Sequence, residues 1–87
     1  MKSAKEMFEE LGYKQEECTA NSIEYYLFDL DKSIDIHINF DYATKTFSKD
    51  DGRTFYIEIT TEEFKAIQQQ LYELGWLEQE QKEDAED

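Results

Sequence analysis

The sequence predicts an α+β fold: an antiparallel β-meander of four to five strands, with N- and C-terminal helices packed on one face. Three observations carry this. Residues 34–42, IDIHINFDY, alternate apolar and polar without a break, the period of a strand with one buried and one wet face. Runs rich in aromatic and β-branched residues flank that stretch, separated by polar turns. A capping box, an apolar stripe and a glycine stop recur near each end of the sequence, which marks two helices.

The first helix is expected over residues 3–11. Ser3 and Glu6 form its capping box, Ala4, Met7, Phe8 and Leu11 its apolar stripe, and Gly12 its left-handed stop, with Tyr13 packing beyond. Residues 13–18 alternate weakly, as a short edge strand does, and Asn21-Ser22 marks a turn. Residues 23–30, IEYYLFDL, make a stronger strand, and Asp31-Lys32-Ser33 turns the chain into the central one.

Two registers are open to that hairpin. A three-residue loop sets Leu30, Phe28 and Tyr26 opposite Ile34, Ile36 and Ile38 on the buried face. A two-residue loop puts Leu27 and Tyr25 there and drags Asp29 inside. Burying an unpaired carboxylate is costly, so the first register is expected.

After a turn at Ala43-Thr44, residues 45–49 return with Phe47 opposite Phe40. Asp50-Asp51-Gly52 signals another turn, and residues 54–60 alternate as a fifth strand, with Phe55, Ile57 and Ile59 inward and Tyr56 and Glu58 outward. Thr60 and Glu63 cap the second helix, whose expected core stripe is Phe64, Ile67, Leu71 and Leu74. Gly75 stops it, and Trp76 and Leu77 fold back. Residues 1–77 thus form a single α+β domain. Residues 78–87, with six acids against one lysine, form an acidic tail predicted to be disordered.

A chain of 87 residues is one domain with a small core, burying only about 60–65% of its unfolded surface. Aromatic residues make up 15% of it, and large rings suit such a core. Twenty-two acids against nine Lys and Arg give a formal charge of −13. That disfavours direct nucleic-acid binding and binding to an anionic membrane, both of which need basic groups. A basic protein surface is the partner such a charge steers toward. Cys18 is the single cysteine, residues 1–12 have no apolar leader, and no run is long enough to span a bilayer; these predict a cytoplasmic protein.

No residue is assigned a catalytic role, and no metal or cofactor is assigned. His37, between Asp35 and Asn39 on the polar face of the central strand, is chemically able to act as a base or ligand. It has no Ser or Cys partner in a recognisable motif. Asp29, Asp31, Ser33, Asp35 and His37 alternate like the first positions of a calcium loop. Ile34 replaces the turn glycine and Phe40 the bidentate glutamate, so the segment reads as a hairpin with an acidic turn. Cys18 lies among acids that discourage thiolate chemistry.

The segments AKEMFEELGY at 4–13 and ITTEEFKAIQQQLYELGW at 59–76, with short alternating strands between them, resemble small acidic uncharacterised proteins of phages, prophages and conjugative elements of Gram-positive bacteria. The resemblance covers residues 3–77. Its matched positions read as core or cap, so it implies an accessory protein of a mobile element and carries no catalytic residues.

The function expected is a non-enzymatic acidic protein–protein interaction module. Its candidate surface is the open sheet face, carrying Tyr25, Leu27, His37, Asn39, Tyr56 and Glu58, aromatic and polar groups of the kind found at interfaces. The alternatives are a nucleic-acid mimic that inhibits a host DNA- or RNA-handling enzyme, a small-molecule or metal-dependent activity centred on His37 with Asp35, and a homodimer through sheet face or edge.

Overall fold

The structure, a computed structural model, describes residues 2–52 and 57–77. Helix α1 (Ala4–Glu10) is followed by strands β1 (Lys14–Cys18), β2 (Ser22–Asp29), β3 (Ile34–Asp41) and β4 (Thr46–Asp50), then helix α2 (Thr61–Glu73). The strands form one antiparallel sheet in the order β1-β2-β3-β4, and both helices pack on one face of it. This is the α+β meander that the sequence predicts. Of the fifth strand expected at 54–60, residues 54–56 lie outside the described residues, and 57–60 run outside any strand. The acidic tail 78–87 also lies outside them.

Both helices begin and end as their sequences dictate. The Ser3 and Thr60 hydroxyls accept from the backbone N–H of Glu6 and Glu63, whose carboxylates accept from the cap N–H in return. At the C-termini, Tyr13 N–H reaches the Phe8 carbonyl and Gly12 N–H that of Glu9, a Schellman pattern. Trp76, Leu71, Gly75 and Tyr72 repeat it.

The register between β2 and β3 is neither of the two: residues 30–33 make a four-residue loop, which turns the same side chains inward as the two-residue loop would. Asp29 pairs with Ile34, Leu27 with Ile36 and Tyr25 with Ile38. The carboxylate that argued against this arrangement is not left unpaired. Asp29 Oδ1 turns back into the hairpin and accepts from the N–H groups of Asp31 (3.0 Å) and Lys32 (3.3 Å). The next hairpin is built alike: Asp41 Oδ1 accepts from Ala43 N–H at 2.9 Å. In each, the residue four past the aspartate takes a left-handed conformation, Ser33 at φ +54° and Lys45 at φ +56°. Phe47 pairs with Phe40, as expected.

The core follows from that register. Ile23, Tyr25, Ile36, Ile38 and Phe40 face the helices, and Phe8, Tyr13, Ala66 and Ile67 meet them. The Phe8 and Tyr25 rings stack with centroids 4.0 Å apart, and Phe40 stands edge-on to both. Burial of each large side chain contributes about 1.5–3 kcal/mol.

Helix α2 keeps Ile67, Leu71 and Leu74 of the expected stripe against the core but turns Phe64 out of it. Ile67 is buried, but so are Glu63, Ala66 and Gln70, while Phe64 is exposed. Two polar partners select this face. Glu63 is needed by Tyr13 and Lys49, and Gln70 by Tyr25.

Candidate interaction surface

Residues directly opposite in an antiparallel sheet share a face, so the pairing defines the side away from the helices. One row runs Lys14, Tyr26, His37, Asp50; another runs Glu17, Glu24, Asn39, Ser48. Phe28 pairs with Asp35 at one end, and Ser22, Asp41 and Thr46 line up at the other. Among the paired strand residues described, the acids of this face are Glu17, Glu24, Asp35, Asp41 and Asp50, and the cation is Lys14. An aromatic centre sits among them, with Tyr26 half-buried and Phe28 exposed.

Several of these side chains hold one another in place. Glu24 Oε2 is hydrogen-bonded to His37 Nδ1, and the His37 ring lies 5.1 Å from that of Tyr26. The Tyr26 hydroxyl donates to Asp35 Oδ1. That hydrogen bond, then slight desolvation and the carboxylate charge, raise the Tyr26 hydroxyl above its ordinary pKa. Such cross-strand pairs fix rotamers before any partner arrives, which lowers the entropy lost on binding.

Sequence reasoning placed half of this surface wrongly. His37 and Asn39 lie on the open face as expected. Tyr25 and Leu27 do not: the corrected register turns both toward the helices, Tyr25 fully buried and Leu27 packed against the core. Tyr26 and Phe28 take their place. Tyr56 lies outside the described residues. Glu58 is exposed but belongs to no strand; its backbone carbonyl accepts from Lys49 Nζ at 2.6 Å.

A polar network that the sequence reading missed lies on the helix side. Lys49 Nζ is 2.9 Å from Glu63 Oε1, with both side chains only 11% exposed. Glu63 Oε2 accepts from the Tyr13 hydroxyl at 2.8 Å, and Oε1 also accepts from Thr60 N–H at 3.0 Å. Burial pushes the Glu63 carboxyl up, but the Lys49 hydrogen bond, the Thr60 N–H, the Tyr13 hydroxyl and the Lys49 charge together hold it below its ordinary range. Burial, then the bond to Glu63, drives the Tyr13 hydroxyl far up. A signal was present: Phe47 opposite Phe40 puts Lys49, two residues on, on the same inward face, and an inward lysine needs an inward acid. Beside this network a cleft of about 590 Å³ opens, floored by Leu27, Ile34, Ile36 and Ile57.

Cys18 is exposed at the end of β1. Among the described residues, no three His, Cys, Asp or Glu side chains come together in a way that could hold a metal ion. No helix among them is long and apolar enough to cross a membrane. No family model, curated protein or solved structure matches this chain.

Proposed function

We propose that the chain is a non-enzymatic interaction module that engages a basic protein surface through its open sheet face. The observation that carries this is the composition of that face: among the described strand residues, five acids and one lysine around the Tyr26–Phe28 centre, on a chain of net charge −13. The acids steer a basic partner and fix its orientation, and the aromatic pair supplies area that excludes water. The role of accessory protein in a mobile element rests on the resemblance of the two helix segments. Nucleic-acid mimicry is the narrower form of the same reading.

Affinity capture with the immobilised protein tests it, washing at low and then moderate salt. Variants Tyr26→Ala/Phe28→Ala and Glu24→Gln/Asp35→Asn run beside Phe64→Ala, a control on the helix side. The expected result is a basic protein held at low salt by the native chain and the control, and by neither face variant. Equal retention by all four proteins overturns the assignment to this face. A captured nuclease or polymerase narrows the function to mimicry.

A further inference from the structure

The acids of the open face ring its aromatic centre. Glu17 on β1 and Asp50 on β4 flank the sheet, and Asp35 and Asp41 stand toward the two ends of β3. Lys14 interrupts the ring on the β1 side. Tyr26 and Phe28 run along the middle of the sheet on β2, and Leu30, 79% exposed, follows in the hairpin loop. None of the paired strand residues on this face is buried. Glu17 lies directly opposite Glu24, and like charges so placed destabilise a sheet. His37 answers Glu24, but among the described residues no donor answers Glu17. A cation carried by a partner relieves that pair.

We infer that the element of the partner seated on this face is a basic amphipathic helix, laid along β2 and β3. This rests on the reading of the chain as a module that engages a basic protein. A strand joins a sheet at its edge through backbone groups, whereas a sheet face presents side chains and is covered by a helical stripe. The dimensions fit one helix. Four strands spaced by about 4.7–4.9 Å give a face about 14 Å across, against a helix about 10–12 Å wide. The eight residues of β2 or of β3 run about 26 Å, the length of about 17 helical residues. Tyr26 and Phe28 are about 6.7 Å apart along β2, close to the ~6 Å rise between helix positions i and i+4. An apolar stripe at that spacing therefore meets the aromatic pair. Lys or Arg on both flanks of the stripe reaches Asp50 on one side and Glu17 on the other. With the helix in place, the sheet lies between two helical layers.

Three synthetic peptides of about 18 residues, made of Leu, Ala and Lys and equal in charge, test this. The first sets leucines at i, i+4 and i+7 with lysines on both flanks. The second shuffles the same residues so that no stripe forms, and the third is the first with central alanines replaced by proline, which breaks the helix. Fluorescence anisotropy measures binding to the full chain, to Tyr26→Ala/Phe28→Ala, which keeps the charge of −13, and to the Phe64→Ala control. The first peptide is expected to bind the native chain and the control and to gain helical circular dichroism as it does so. The face variant should bind it about tenfold or more weakly, and the other two peptides should bind the native chain more weakly by a similar factor. Glu17→Gln/Asp50→Asn, on the exposed flanks, gives an independent reading: it should weaken the first peptide at about 0.1 M salt and not at about 1 M, where the screening length falls from ~10 Å to ~3 Å. Equal binding of all three peptides, lost in the face variants, overturns the helix and leaves the basic-partner reading standing. Binding that neither face variant weakens overturns both the helix and this face as its seat. Absence of binding by every peptide overturns the helix, and affinity capture then decides the basic-partner reading separately.

Discussion

The Tyr25 hydroxyl, from the middle of β2, donates a 2.6 Å hydrogen bond to Oε1 of Gln70 on α2, with both residues buried. It ties the sheet to the helix layer inside the core and receives a weaker bond from Gln15 Nε2 at 3.3 Å. Tyr25→Phe leaves the Gln70 amide buried without that donor, a loss of about 1–3 kcal/mol. Thermal melting is expected to fall by roughly 4–8 °C per kcal/mol in a domain of this size. Adding Gln70→Met should recover part of the loss, because the orphaned amide is then gone.

Acid should unfold the chain through Glu63. Its folded pKa lies below the ordinary carboxylate value, so the ionised form is the one the fold stabilises. That stability is complete above the unfolded pKa of about 4.3 and disappears as pH falls through the lower folded value. Glu63→Gln strands Lys49 and is expected to cost about 3 kcal/mol at neutral pH. The acid limb of a stability-versus-pH curve should flatten in this variant.

At the alkaline end two tyrosines should resist ionisation. Burial pushes the Tyr25 hydroxyl up to about 12, and Tyr13 is raised further by burial and its bond to Glu63. These contributions to stability are intact below about pH 10 and are lost as pH rises through the folded values. Absorbance at the phenolate band should therefore show part of the tyrosine signal rising together with loss of the folded circular dichroism signal.

Gly12 and Gly75 are left-handed stops of the same design, at φ +99° and +80°, yet they should not tolerate alanine equally. A Cβ at Gly12 would sit 3.2 Å from Leu27 Cδ1, whereas among the described residues nothing lies within 4 Å of one at Gly75. Gly75→Ala carries only the backbone cost of about 1–2 kcal/mol. Gly12→Ala adds displacement of a packed leucine, and denaturant midpoints should rank the two in that order.

The sequence was most legible where structure is decided by a few adjacent residues. Both capping boxes, both glycine stops and the Phe40–Phe47 pair can be read from local spacing alone. It misled where a polar group finds a partner inside the fold. Asp29 was expected to refuse the helix side of its hairpin, but the turn's own N–H groups take its carboxylate. Phe64 was expected in the core of α2, but Glu63 and Gln70 claim that face for partners 50 and 45 positions away in sequence. A one-residue shift then moved Tyr25 and Leu27 off the candidate surface and put Tyr26 and Phe28 on it. Rules that count an acid as outward fail wherever geometry supplies its hydrogen bonds.

The carboxylate of Glu73, in the last turn of α2, accepts from the Ala4 backbone N–H at 2.8 Å, across 69 positions of sequence. That contact makes the domain nearly a closed ring, with its covalent gap beside α1 rather than within the sheet. The meander can assemble from neighbouring hairpins, while the helix pair must wait for almost the entire chain to be brought together. A circular permutant that bridges the helix ends and opens at the turn after Asp41 would reverse that order. The helices would then form a local hairpin, and β3–β4 pairing would become the slow, long-range step.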